Sequence, residues 1–268
     1  RLATFIQLGQ SVFSRLAALP VPKIAAIHGA CVGGGLEMTL ACNHRIASDS
    51  DHTRLGLPEV LLGLIPGWGG STRLPRMIGL PKALGLILTG KLLKPEQAKR
   101  LGIVDRVVPR EHLDAVARKI AGHTSHVSQA FHFANIPVVR GLIAWKARRD
   151  LIAKTRGLYG APLKALDVAT KGLGKTVRES LHLERDALLE LAKTGEASRL
   201  IELFFRKEEA SKKPPATGHA LPVHHATVVG AGVMGAGIAH WLASRGVQVL
   251  MTDISTDAIA KGLSNVST

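Results

Sequence analysis

The sequence predicts an α/β protein in two parts joined by helices. Three observations predict it. Residues 23–27 form a short apolar run that turns into Gly33-Gly34-Gly35 and then a helical stretch, 36–41. From there to residue 121, short apolar segments alternate with helical stretches, several of them opening on proline. Near the end a β-branched run, Ala226-Thr227-Val228-Val229, enters Gly230-Ala231-Gly232-Val233-Met234-Gly235 and another helix. Alternating strands and helices are the pattern of an α/β layer structure. The stretch from about 136 to 211 has helical periodicity alone.

In chain order, residues 1–19 read as a helix, with Leu2, Phe5, Ile6, Val12, Phe13 and Leu16 at helical spacing. Pro20 and Pro22 end it. Residues 23–27 read as a buried strand, and His28-Gly29 as a turn in which His28 is a hydrogen-bonded turn residue. Residues 45–47 and 53–56 read as extended segments, the second delivering Pro58-Glu59. Residues 66–79 hold a glycine-rich turn and a helix through Arg73 and Met77. The stretches 81–89 and 95–101 open with proline, which suits a first helical turn. Residues 103–108 read as a strand and 111–121 as a helix with Leu113, Val116, Ala117 and Ile120 on one face. Helices are expected over 137–155, 175–193 and 197–211. Residues 212–218, Lys-Lys-Pro-Pro-Ala-Thr-Gly, read as a linker. These boundaries give 1–135 as a first domain, 136–218 as a helical linker region and 219–268 as the start of a second domain.

The chemistry concentrates in three clusters. Gly33-Gly34-Gly35 frees the backbone for positive φ and for close approach to a ligand. The helix after it points unpaired N–H groups back at the loop, where a developing oxyanion gains from them. Glu37 lies just inside that helix, and Glu59 follows a proline after an extended segment. Taken singly, each has a plain reading. A glycine run makes a tight turn, the helix dipole favours a Glu in the first turn, and Pro-Glu opens many helices. Together they describe acid–base chemistry beside a carbonyl. Spacing alone does not bring the two glutamates face to face. The third cluster is the strand–Gly-x-Gly-x-x-Gly–helix near the end, with Asp253 closing the next apolar run at roughly the ~20-residue spacing of a dinucleotide-binding fingerprint. There Gly230, Gly232, Met234 and Gly235 would meet a pyrophosphate and Asp253 the adenosine ribose hydroxyls. An acid at that position favours NAD over NADP.

Composition narrows the classes. At 268 residues with 46% hydrophobic residues the chain can bury a core. Its two cysteines, Cys31 and Cys42, exclude a disulfide scaffold. No apolar run reaches the length of a membrane span. The net charge of +15 comes from scattered Lys and Arg with only 4% aromatics, so no basic block with interleaved aromatics points to nucleic acid. Some of that charge suits the phosphates of an anionic ligand. Arg1 stands first, so no intact leader is readable, and the chain reads as an internal piece of something longer.

The ordered set Gly-Gly-Gly-Leu-Glu, Pro58-Glu59 and Pro66-Gly67-Trp68-Gly69-Gly70-Ser71-Thr72-Arg73 resembles the crotonase (enoyl-CoA hydratase/isomerase) superfamily. The likeness extends through Leu88-Thr89-Gly90-Lys91 to Pro109. With Gly157-Leu158-Tyr159-Gly160-Ala161-Pro162, the helices after it and the Gly-Ala-Gly-x-Met-Gly loop, the whole chain is similar to multifunctional fatty-acid β-oxidation proteins of the α-subunit type. The resemblance implies a crotonase (ClpP/crotonase-like) domain lacking its N-terminal part, linker helices and the first βαβ of a Rossmann NAD-binding domain. It implies Gly34 as half of an oxyanion hole, and Glu37 and Glu59 as the hydratase carboxylates. Glu37 would mainly activate water and Glu59 mainly deliver a proton to C2. An acyl-CoA thioester is the implied substrate and NAD the cofactor. A thiolase subunit is the partner the family suggests, with a cytoplasmic setting if bacterial and a mitochondrial one if eukaryotic. The family's other oxyanion donor would lie before Arg1 and the dehydrogenase His–Glu pair after Thr268, so the piece alone is expected to be inactive. Two readings stand beside this one: another crotonase reaction such as isomerisation, and an inactive nucleotide-binding or assembly module.

Overall fold

A computed structural model describes residues 1–121, 136–212 and 222–266, with the side chains of 265 and 266 left aside. The chain divides into two compact units, Arg1–Ala210 and Ser211–Thr268.

The first unit opens on α1 (Leu2–Ala18), followed by β1 (Ile24–Ile27), β2 (Ala30–Val32), α2 (Gly34–Thr39), β3 (His44–Ser48) and β4 (Arg54–Gly56). A 3-10 turn, Glu59–Leu62, leads to α3 (Gly70–Ile78), α4 (Leu80–Ile87), α5 (Pro95–Leu101), β5 (Arg106–Val108) and α6 (Leu113–Ala121). After the undescribed segment come α7 (Pro137–Thr155), α8 (Gly160–Gly172), α9 (Val177–Ala192) and α10 (Gly195–Lys212). The strands form two parallel sheets, one in the order β1-β3-β5 and one pairing β2 with β4. Each connection within these sheets carries the chain back to the same end, as parallel pairing requires. β2, which the sequence did not announce, aligns Val32 with Gly56 and so brings the glycine loop beside the segment leading to Glu59.

The core runs through β1, α2, β3, α3, α4 and α5, with Leu36, Ile46, Leu55, Leu57, Leu74 and Ile103 fully buried. Arg45 is buried too. Its guanidinium donates to the carbonyls of Ile103, Thr39 and Cys42, and its backbone N–H donates to Asp105, so β3 is pinned to the β5 approach. These bonds satisfy most of a cation that would otherwise be costly to bury.

Two expectations differ from what is seen. The packing does not divide near residue 135: Ala161, Ala165 and Val168 of α8 and Ala187 and Leu191 of α9 belong to the same core as Leu36 and Leu74. Small residues on α8 let it lie against α3, so these helices are part of the first unit. Of the apolar positions of α1, Leu2, Phe5 and Val12 are exposed and Ile6 is buried, and Gln10 is buried with it. Gln10 is tolerated inside because its amide donates to the carbonyls of Gly67 and Leu181, each at 2.8 Å.

The second unit holds β6 (His225–Val229), α11 (Val233–Ala243), β7 (Gln248–Thr252) and α12 (Thr256–Val266). β6 and β7 pair in parallel, with α11 packed on both strands and α12 on α11. The 212–218 segment falls outside the described residues from 213 onward. Among the described residues no helix is long and apolar enough to cross a membrane, and no group of three or more His, Cys, Asp or Glu is placed to hold a metal ion.

Candidate active site

Glu37 sits in the first turn of α2 and is 2% exposed. One carboxylate oxygen, Oε1, accepts from the backbone N–H groups of Trp68 and Gly70, both at 2.8 Å. Gly70 begins α3, so the carboxylate lies at the positive end of a second helix. The glycines here are a spatial requirement. A Cβ at Gly70 would stand 3.0 Å from Glu37 Oε1 and 2.6 Å from Pro66 Cβ. Gly33 precedes α2 with φ 55°, in the left-handed region, and a Cβ there would come 3.3 Å from Glu59 Oε1.

Glu59 opens the 3-10 turn, and its Oε2 is buried without a hydrogen-bond partner. A buried polar atom left unsatisfied in a cleft is the place to look for function. Burial pushes the Glu37 carboxyl up to about 7, opposed by the Gly70 and Trp68 N–H groups and by Arg73. Burial, and then the charge of Glu37, pushes the Glu59 carboxyl up to about 8. The fold therefore brings together two carboxyls from separate elements, both raised toward neutrality, the second in part by the charge of the first. That is the range in which a group can serve as both acid and base.

Gly34 is the first residue of α2, where a backbone N–H has no acceptor within its own helix. The Trp68 ring packs over it, so a Cβ at Gly34 would lie 2.7 Å from the ring. Phe5 and Phe13 of α1 meet the same ring edge-on, at 5.3 and 5.7 Å. His28, by contrast, is a structural residue. Its Nδ1 pairs with Ser48 Oγ at 2.9 Å and its Nε2 with Arg110.

Sequence reasoning missed Glu184. It lies on α9, fully buried, with neither carboxyl oxygen hydrogen-bonded. Arg73 lies across the turn that holds Glu37, its Nε 3.0 Å from where a Cβ at Gly69 would stand, and the charges of Glu184 and Glu37 both act on it. An acid at an otherwise buried position of an amphipathic helix was the available signal.

In the second unit the glycine loop fits a phosphate cradle. Gly230 has φ 102°, and a Cβ at Gly235 would come 1.7 Å from the Gly230 carbonyl oxygen, so only glycine is accommodated. Gly232 caps α11, and Val233 and Met234 begin it with exposed side chains. Asp253 ends β7 and accepts from Ala231 N–H at 2.6 Å and Ile254 N–H at 2.7 Å. Those bonds hold its carboxyl below the usual range. The acid is thus fixed at the mouth of the glycine loop.

A loop N–H at a helix start beside two carboxyls raised toward neutrality is an arrangement suited to acid–base chemistry next to a carbonyl. The comparisons with known proteins place the chain in a family. Residues 3–143, just over half of the chain, match the enoyl-CoA hydratase/isomerase family, and residues 225–268 match the NAD-binding domain of 3-hydroxyacyl-CoA dehydrogenase. The chain belongs to the enoyl-CoA hydratase/isomerase family. It is 42% identical over 264 residues to the fatty acid oxidation complex subunit alpha of Vibrio cholerae, covering 95% of this chain and 37% of that protein. It is also 42% identical to the corresponding subunit of Shewanella amazonensis, over 96% of this chain and 37% of that protein. A solved structure described as an enoyl-CoA hydratase of Streptomyces avermitilis superposes with a TM-score of 0.50 at 27% identity, over 76% of this chain and 62% of that one. The chain thus spans well under half the length of the curated relatives it matches.

Proposed function

We propose that the first unit hydrates trans-2-enoyl-CoA thioesters to 3-hydroxyacyl-CoA, as one step of fatty-acid β-oxidation. The observation that carries this is that buried Glu37 and Glu59, whose Oε2 is buried without a partner, come together beside the Gly33–Gly35 loop, where the charge of Glu37 acts on Glu59. Glu37, held by two N–H donors, accepts a proton from water as its oxygen bonds to C3. Charge moves onto the thioester oxygen, where the Gly34 N–H stabilises it. Glu59, protonated at neutral pH, gives its proton to C2. Water has then added across C2=C3, and the proton gained by Glu37 replaces the one lost by Glu59 through exchange with the pair's surroundings. A plain double-bond shift needs one carboxyl, so two carboxyls in this state favour hydration over isomerisation.

The second unit we assign to NAD. The loop of Gly230, Gly232, Met234 and Gly235 would hold the pyrophosphate, and Asp253 the ribose hydroxyls. When bound, NAD would accept hydride from the 3-hydroxyacyl product. A thiolase subunit that consumes the resulting 3-ketoacyl-CoA, and the bacterial cytoplasm as the setting, belong to the same reading.

The test is hydration of trans-2-butenoyl-CoA, followed by loss of conjugated absorbance, on this chain and on any longer protein that contains it. Glu37→Gln and Glu59→Gln should each lower turnover by ~10²–10⁴-fold while the proteins melt cooperatively. No turnover in a longer protein that contains this chain, or near-full turnover in both variants of it, rules the reading out; inactivity of this chain alone is the expected result.

A further inference from the structure

The turn leading into α3 carries one residue that borders both Glu37 and the glycine loop. The Trp68 backbone N–H donates to Glu37 Oε1 at 2.8 Å. Its indole lies over Gly34, where a Cβ would be 2.7 Å from Cζ3 and 2.9 Å from Cε3. The other edge of the indole meets α1. A Cβ at Gly9 would stand 2.4 Å from Nε1, 2.5 Å from Cε2 and 2.7 Å from Cδ1. One glycine on each helix thus lets the ring span the gap from α1 to the start of α2, in contact with both backbones.

The ring has little freedom to leave. Phe5 and Phe13 meet it edge-on, a favoured geometry for aromatic pairs. The turn that carries it is closed from behind. A Cβ at Gly67 would be 2.4 Å from Leu188 Cδ2 of α9, and one at Gly70 2.6 Å from Pro66 Cβ. Gln10, next to Gly9, donates to the Gly67 carbonyl, so α1 and the turn hold the indole between them.

The two carboxyls give the acyl chain a direction. In the hydratase reading the thioester oxygen lies at the Gly34 N–H, Glu59 serves C2 and Glu37 serves C3. Glu37 therefore acts further along the chain than Glu59, and Trp68 is bonded to Glu37. Carbons after C3 run toward the indole. The wall they meet is aromatic and partly open, with Phe5 57% exposed, which suits a hydrocarbon tail. A ring wedged against two backbones leaves that tail no passage between α1 and α2.

We propose that Trp68 is a specificity-determining residue: its indole, wedged between Gly9 and Gly34, ends the acyl pocket shortly beyond C3 and restricts the substrate to short-chain enoyl thioesters. The position of C3 rests on the hydratase reading; the wedged ring does not.

The experiment compares trans-2-butenoyl-CoA with trans-2-decenoyl-CoA as substrates of a longer protein that contains this chain. Butanoyl-CoA and decanoyl-CoA, which cannot be hydrated, are titrated into the same protein by calorimetry. The unaltered protein should favour the butenoyl substrate in kcat/KM. Trp68→Ala keeps the backbone N–H and opens the gap, so it should raise the decenoyl-to-butenoyl ratio of kcat/KM by about tenfold or more. Taking the ratio within one variant cancels any general loss from a disturbed Glu37. If Trp68→Ala does not fold, Trp68→Leu, which empties only part of the space, should raise the ratio by less. A ratio that stays at the native value overturns the proposal. So does an unaltered protein that already hydrates decenoyl-CoA as well as butenoyl-CoA. Binding separates the proposal from the reading it rests on. A decanoyl-to-butanoyl affinity ratio that rises in Trp68→Ala, in a protein that hydrates neither substrate, retains Trp68 as the stop and removes the hydratase reading. Hydration with both ratios unchanged retains the hydratase reading and removes the stop.

Discussion

Glu37 and Glu59 set the pH behaviour of the site. Their carboxyls are raised to about 7 and about 8, both by burial and the second also by the charge of Glu37. Hydration needs Glu37 without its proton and Glu59 with one. The rate should therefore rise through about pH 7, fall through about pH 8 and peak between. A profile flat from pH 5 to 9 contradicts this. Stability should run the other way. Both groups have folded values above their unfolded ones, so their stabilising contribution is complete below the unfolded range and is lost as pH rises through the folded values. Glu59→Gln should accordingly gain on the native protein between about pH 4.5 and 8, by up to roughly 4 kcal/mol, in denaturant melts at stepped pH. Gly34 gives a steric test. Alanine keeps the N–H but sets a Cβ 2.7 Å from the Trp68 ring. Gly34→Ala should lower hydration on the order of 10²-fold by displacing the loop, and Trp68→Ala added to it should restore much of the loss. Full activity in Gly34→Ala alone would remove Gly34 from the site.

At the scale of elements, the site depends on helices that carry none of its reacting groups. α3 offers its N-terminus to Glu37, and α9 holds α3 through Ser180 and Thr72. α1 is fastened by a single buried amide, Gln10, that reaches both the Gly67 carbonyl and the Leu181 carbonyl on α9. Gly67 sits next to Trp68, the other donor to Glu37. Gln10→Leu would leave the buried Gly67 carbonyl short of a donor, at about 1–3 kcal/mol. It should lower the midpoint of thermal unfolding and also lower turnover. Thermal melts and hydration rates measured on the same preparation check both, and unchanged melting would show that α1 is held by its aromatic contacts instead.

For the whole molecule, the two units differ in how much apolar surface they bury. The first buries a continuous core from β1 to α9. In the second, Val229, Val233, Leu250 and Ile254 are 82%, 85%, 66% and 105% exposed, and a pair of strands is a marginal sheet. Its glycine loop is formed, but the nicotinamide half of a dinucleotide crevice comes from later strands. Titration of this chain with NAD by calorimetry should give weak binding without saturation. A tight, saturable isotherm would show that the loop and Asp253 suffice.

What the sequence determined by itself is local. The triple glycine, Pro58-Glu59 and the Gly-x-Gly-x-x-Gly loop each work within a turn or two, through φ freedom, a missing Cβ or a helix start. They are legible wherever they stand, and so were Glu37, Glu59, Gly34 and the strand–loop–helix units around them. What only the tertiary structure decided is which distant groups share one buried space. Glu59 meets Glu37 because β2 pairs with β4, a register that no spacing announces. Thr72 and Ser180 meet because small residues such as Ala161 and Ala165 let α8 settle on α3 and bring α9 with it. The exposed apolar positions of α1 and its buried Gln10 make the same point. Periodicity says that a helix has a face, but hydrogen-bond partners and packing neighbours from elsewhere in the chain decide which face is buried.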